Sequence, residues 1–294
     1  MRNFNYIQKQ KVVKNIFNIL IFSILCLNVS AQRGWEAGGW LGVAQYFGDL
    51  NTEFQFRDPK PAGGIGLRYN FNERVCLKFG ANMGSVAASD ADSDNIFERA
   101  RNLHFRSQIA DAAAQLEFNF LPYFHGDKDF GWTPYLFAGY SVSYFNPQAE
   151  IDGEWVDLRP LGTEGQFKSE EYFTVSGGLL YGAGFKIDLN FEWSINLEIG
   201  ARKLFTDYLD DVSTVYPDLE DLEELRGTTA ALADRSAELY QTNPEFFTQN
   251  NIEFPIGEQG RQRGNSKNND TYVMVGIGIM YYFGDLRCPY DKSR

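Results

Sequence analysis

From Thr271 to Phe283 the chain reads TYVMVGIGIMYYF, and alternate positions separate into two unlike rows. Val273, Val275, Ile277, Ile279, Tyr281 and Phe283 form an apolar row, β-branched and aromatic. Tyr272, Met274, Gly276, Gly278, Met280 and Tyr282 form a mixed one. A two-residue period kept up this long predicts a strand with one face toward an apolar surrounding. Length and aromatic finish suit a tilted strand crossing an outer membrane, which takes about 9–11 residues.

The same alternation recurs along the chain. Residues Trp35 to Phe47, Ala62 to Phe71, Val75 to Val86, Leu103 to Leu121, Thr133 to Phe145, Tyr172 to Leu189 and Glu192 to Leu204 read as seven further strands. The row Val175, Leu179, Tyr181, Phe185, Ile187, Leu189 against Ser176, Gly178, Gly182, Gly184, Lys186, Asp188 is the cleanest of them. The segment from Thr133 is aromatic on both faces, which leaves its orientation open. Connections alternate in length. Long ones follow the first, third, fifth and seventh strands, the last of about 65 residues, while Asn72-Glu73 and Asn190-Phe191 are tight turns. Short turns on one side and long loops on the other describe an all-β, eight-stranded antiparallel outer-membrane barrel with periplasmic termini. A closed sheet also leaves no unpaired edge in lipid.

An eight-stranded barrel is just wide enough for its own interior side chains. The inward rows carry Arg68, Lys78, Lys186 and Arg202 with Glu36, Asp111, Glu117, Asp188 and Glu198. Opposite charges in so small a space are expected to pair, forming a salt-bridged plug in place of an aqueous channel. In the longest loop, Pro217 and Asp218 suit a helix start and Gly227 a stop, with Leu219, Leu222 and Leu225 near helical spacing. A partly helical cap over residues 205–270 is expected, with disorder around Gln241 to Asn269. A connection of this length is functional or disordered.

Composition changes the picture at the ends. Arg2, Lys9, Lys11 and Lys14 precede the apolar run Ile16 to Leu27, and Val29-Ser30-Ala31 is an A-x-A-like site. Residues 1–31 therefore read as a signal peptide. The rival, a lipoprotein signal ending at Cys26, has Leu25 where a small residue is wanted. Removing residues 1–31 takes four of the 27 Lys and Arg and none of the 39 Asp and Glu, leaving 23 against 39, a net −16. Such a chain cannot neutralise phosphates along a duplex, so nucleic acid is excluded as partner. Export places Cys76 and Cys288 in an oxidising compartment. Cys288 bridges or closely meets a periplasmic partner, bridges Cys76, or stays free.

No zinc motif, phosphate loop or nucleophile elbow occurs. His104 and Ser107, three apart on a strand, point to opposite faces. His125 falls in a predicted periplasmic connection. Asp207, Asp210 and Asp211 in TDYLDD look like a cation cluster but lack the glycine and terminal glutamate of an EF-hand loop; otherwise they form a solvated acidic loop. The expectation is a protein without catalytic site or cofactor.

Longer stretches carry a family resemblance. WEAGGWLGVAQYFGDLN from Trp35, FERARNLHFRS from Phe97, EWVDLRPLGTEGQ from Glu154, ARKLFTDYLDDVSTVYPDL from Ala201, RQRGNSKNNDTYV from Arg261 and the closing YYFGDLRCP resemble the PorG-like outer-membrane proteins of the type IX secretion system of Bacteroidota. The resemblance implies a non-enzymatic accessory barrel in outer-membrane lipid, associated on its periplasmic side with a ring of PorK lipoprotein and PorN. In that setting the tail 284–294, with Arg287, Cys288 and Pro289, would be the partner contact. A surface barrel whose acidic loops bind an adhesion target or ligand is the alternative.

Overall fold

The computed structural model describes residues 33–53, 55–167, 170–227 and 229–284. Among them are nine strands. They are β1 (Gly34–Phe47), β2 (Lys60–Asn70), β3 (Val75–Ser89), β4 (His104–Asn119), β5 (Trp132–Ile151), β6 (Glu154–Asp157), β7 (Val175–Asp188), β8 (Trp193–Leu204) and β9 (Thr271–Tyr282). Each long strand pairs antiparallel with the next, skipping β6, and β9 returns to β1, so eight strands close a barrel.

β6 is the departure from the expected pattern. It pairs with Gln148–Ile151, the end of a β5 that runs six residues past Phe145, where a loop was expected. The reason is local. Asp152 and Gly153 both take positive φ, 52° and 82°, the two-residue turn that an Asp-Gly pair favours. The hairpin therefore continues above the barrel.

Two-residue periodicity sets the faces. On β9, Tyr272, Met274, Met280 and Tyr282 are buried in the lumen while Ile277 and Ile279, and Phe283 just past the strand, stand outside. On β5 the structure resolves the ambiguity: Tyr135, Phe137, Ser141 and Ser143 point inward, and Leu136, Tyr140, Val142 and Tyr144 outward. At the β1–β9 seam, Trp40 turns in and its Nε1 donates to Asn82 Oδ1 at 2.8 Å. A Cβ at Gly276 would sit 2.4 Å from the Trp40 ring, so glycine there makes room for the indole.

Outside, the barrel carries an apolar band including Leu41, Ile65, Met83, Leu116 and Leu179. Around the turn end runs a chain of touching rings: Trp35–Tyr69–Phe71, Trp132–Phe185 and Trp193–Tyr281–Phe283. An exposed apolar belt of this size with an aromatic girdle is the surface of a barrel solvated by lipid.

At the loop end the β8–β9 connection is a packed cap. It contains α2 (Leu219–Arg226), α3 (Thr229–Ala233), α4 (Ser236–Thr242) and α5 (Pro244–Gln249); α1 (Ile96–Arg101) comes from the β3–β4 connection. Asp218 caps α2 by accepting from the amides of Glu220 and Asp221. Residues 241–269, expected to be disordered, are instead structured. Phe247, Ile252 and Ile256 bury with Ala100 and Tyr216 in a satellite core, and Tyr240 stacks on Phe254 at 4.2 Å. The apolar residues in this stretch are too widely spaced for one helical face, and their partner comes from a loop more than a hundred residues away.

Candidate functional site

Two polar constellations occupy the molecule, one in the lumen and one under the cap. In the lumen Arg68 is central. Its Nη1 donates to Glu36 Oε2 at 2.8 Å, its Nε lies 2.9 Å from Glu117 Oε2, and its Nη2 donates to Asn196 Oδ1 at 3.0 Å. Lys186 Nζ meets Glu117 Oε2 at 2.7 Å, and Lys78 Nζ meets Glu198 Oε2 at 2.7 Å. Toward the loop end, Arg202 Nε lies 3.2 Å from Asp111 Oδ2. Tyr272 donates to that same carboxylate at 3.0 Å. Glu36, Arg68, Glu117 and Lys186 are fully enclosed. The structure brings eight of the nine inward charges into four-way or pairwise contact, and the ninth, Asp188, engages a residue from the β4–β5 connection.

That residue is His125. The connection folds back into the turn-end mouth, placing Nδ1 2.9 Å from Asp188 Oδ1 and Nε2 3.3 Å from Glu36 Oε1. The imidazole stacks on Tyr282 at 4.4 Å. Burial works to lower its pKa, but its hydrogen bonds to the carboxylates of Asp188 and Glu36 outweigh this and the net shift is upward. Sequence placed His125 in the connection without any hint that the connection re-enters the barrel. A cavity of about 30 Å³ lies in the lumen between Trp40, Arg68 and Met280, room for a water and not for an ion path. Reconstituted in a planar bilayer, the full chain is therefore expected to give no steady conductance. Reproducible current steps would contradict the plug.

Cys76 is a free, buried thiol, its Sγ 3.5 Å from Lys186 Nζ. Arg287, Cys288 and Pro289, and residues 1–31 with their cleavage site, lie outside the described residues. His104 Nε2 accepts from the Glu150 amide at 3.2 Å, and Ser107 Oγ accepts from the Asn146 amide at 3.0 Å, so each has its own partner.

The second constellation corrects the solvated reading of the TDYLDD loop. Asp207, Asp210 and Asp211 are all buried. They point to three different places, and among the described residues no three acidic, histidine or cysteine side chains converge at metal-ligating spacing. Asp210 accepts from the Tyr46 hydroxyl, which also lies 3.0 Å from Asp270 Oδ1. One hydroxyl proton cannot serve both carboxylates. Burial, then repulsion among neighbouring carboxylates, holds the carboxyls of Asp210 and Asp270 well above the usual range.

Asp211 has a positive φ of 68° and accepts from the hydroxyls of Thr163 and Tyr172. Arg263 passes beside it. Its Nη1 donates to Asp211 O at 2.6 Å and to Glu164 Oε1 at 3.1 Å, and its Nε to Ala233 O at 3.1 Å. Arg101 grips Asp90 with Nε and Nη2 at 2.8 and 2.7 Å, and its Nη1 donates to Arg263 O at 2.6 Å. Sequence reasoning passed over Arg101, Arg263, Asp90 and Glu164. They lie in separate stretches of the chain and meet only when the loops pack.

Burial and the nearby Asp49 push the Asp207 carboxyl up to about 8, and burial pushes Asp211 up to about 6 against the pull of Arg263. The folded cap thus binds these protons more tightly than the unfolded chain. Their stabilisation is complete below about pH 4 and is lost as pH rises through 6 and then 8. The protection of residues 205–270 against hydrogen exchange, measured relative to the intrinsic exchange rate at each pH, is expected to be greater at pH 5 than at pH 8. Asp207→Asn should remove the alkaline part of that dependence and tighten the cap at pH 8 by roughly 1–3 kcal/mol.

Closed strands, lipid-facing exterior, ion-paired lumen and packed loop cap together define a plugged barrel of the outer-membrane type. The chain belongs to the family described as Domain of unknown function (DUF6089), whose model matches residues 14–234. Among solved structures it is similar to Ail, the attachment invasion locus protein of Yersinia pestis, determined with the heparin analogue sucrose octasulfate. Identity is 9% and TM-score 0.40, over 86% of this chain and 99% of that one. It is also similar to the outer membrane protein OprG from Pseudomonas aeruginosa, at 11% identity and TM-score 0.42 over 87% and 98%. Neisserial surface protein A matches at 10% identity and TM-score 0.40 over 85% and 97%. Comparison with curated proteins finds no match.

Proposed function

We propose that this protein is a non-enzymatic, non-conducting barrel of the type IX protein secretion apparatus, with both termini in the periplasm and the loop cap outside. In this reading it meets a periplasmic lipoprotein ring of PorK-like and PorN-like subunits through its tail, where Arg287, Cys288 and Pro289 lie. One observation carries it. The motifs that resemble the PorG-like proteins are scattered in sequence, yet one charged residue from each of five of them meets in a single group, Asp49, Arg101, Glu164, Asp211 and Arg263, of which Arg101, Asp211 and Arg263 are buried. Shared motifs that build one constellation support descent from a common barrel more strongly than isolated matches. A sealed lumen also suits a structural part better than a transporter.

The test is made in the native cell. Deleting the gene should stop export of proteins carrying the secretion system's C-terminal domain. A chain lacking 284–294 should reach the outer membrane and still fail to restore export. It should also no longer co-purify with the ring lipoprotein. Normal export without the protein would overturn the reading and favour a surface-binding barrel.

A further inference from the structure

Beside the cap a cleft of about 580 Å³ opens between the β1–β2, β3–β4 and β8–β9 connections, a size typical of small-ligand sites. We propose that it holds the phosphorylated saccharide headgroup of an outer-leaflet glycolipid. Three observations lead there.

The first is charge. Lys203 and Arg261 both line the cleft, and among the described residues neither makes an ion pair or side-chain hydrogen bond within the chain. In a protein with net charge −12, two uncommitted cations facing one cleft form a local site for an anion. The guanidinium fork and the ammonium are the groups that bind phosphate. Two acidic residues, Asp49 and Glu98, also line the cleft, each accepting hydrogen bonds within the chain. Asp49 accepts from the Asn265 amide at 2.8 Å, and Glu98 accepts from the hydroxyls of Thr52 and Ser93 at 3.0 and 2.6 Å.

The second is hydrogen-bonding capacity. Gln262 and Asn268, also on the cleft and exposed, keep both donor and acceptor of their carboxamides free of partners in the chain. Such groups match sugar hydroxyls, which donate and accept at once.

The third is position. Lys203 is on the outward face of β8, in register with Leu179 on one side and Thr271 on the other. Leu179 belongs to the exposed apolar band, and Phe205, two residues on, is exposed as well. A lysine on this edge of the band stands at headgroup level, its stem on apolar surface and its ammonium in the polar layer. The cleft therefore opens sideways to the leaflet as well as upward. This step rests on the loop-out orientation, though not on any role in secretion.

The experiment uses the full mature chain in nanodiscs. The probes are diphosphoryl lipid A, its deacylated disaccharide bisphosphate, and phosphatidylglycerol as an anion without sugar. Lipid A is expected to bind at least about tenfold more tightly than phosphatidylglycerol, and the Lys203→Glu, Arg261→Glu pair to lose at least about tenfold. Heat-modifiable migration of the variant checks that the barrel has formed; Lys203→Gln with Arg261→Gln serves if reversal prevents folding. Equal binding of lipid A and phosphatidylglycerol, or no loss in the charge variants, overturns the proposal. Equal affinity for the deacylated disaccharide overturns the leaflet as the source. Because binding is read on the purified barrel, a failed secretion phenotype leaves this result independent.

Discussion

Arg68→Met is expected to destabilise the barrel by about 3–5 kcal/mol, the cost of leaving buried charge without its partner. Arg68 is the guanidinium that both Glu36 and Glu117 face, and all three side chains are fully enclosed. Lys186 would still meet Glu117, and His125 would still reach Glu36. Neither replaces the donors Arg68 turns toward both carboxylates and Asn196. The urea midpoint of the heat-modifiable form, read by electrophoretic mobility, should fall sharply. The triple variant Arg68→Met, Glu36→Gln, Glu117→Gln should recover much of the loss, because it removes the orphaned charges along with the cation. If the single variant were as stable as the native chain, the lumen network would be a filling of convenience. Lys78→Met is the internal control. Its partner Glu198 is partly solvated and also accepts from Tyr135 at 2.7 Å, so its loss should cost less.

The strands and the lumen were legible for one shared reason. In a barrel every strand has one face in lipid and one in a narrow interior, so alternation reports both structure and address. Glu36, Glu117 and Lys186 could be assigned inward simply because Trp35, Phe118 and Ile187 had to face out. Alternation fails where both faces are aromatic, as around Tyr135 and Tyr140, and there only the closed sheet decides. It also says nothing about loops. Asp210 and Asp211 look solvated in a run of acidic residues. Their burial depends on Tyr46 at the end of β1 and on Arg263 some fifty residues further on. The Asp152-Gly153 turn was readable as a hairpin signal, but no apolar alternation beyond it was strong enough to mark β6. His125 was hidden for a different reason. A single histidine in a polar connection carries no sign that its backbone turns back into the mouth.

Arg263→Gln should open the cap and leave the barrel closed. In the native chain this guanidinium is the cation beside the buried carboxylates of Glu164 and Asp211, and it donates to two backbone carbonyls besides. Glutamine can keep one or two of those hydrogen bonds but supplies no charge, so the local cost is again about 3–5 kcal/mol. That exceeds what α2 to α5 can hold by themselves, since each is eight residues or shorter and leans on tertiary contacts. Hydrogen exchange across 205–270 should rise and trypsin should cut within it, with protection of β1 to β9 unchanged. Arg263→Lys should rescue poorly, because a point charge cannot reach Glu164 and the carbonyls of Ala233 and Asp211 together. The defect should also deepen with pH. Without Arg263, Asp211 loses the neighbour that lowers its pKa, so its carboxyl ionises later and at greater cost as pH climbs from 5 to 8. A cap equally protected in native and variant chains at both pH values would mean that the apolar cluster around Phe247 holds the loop, and that the buried charges only fill it.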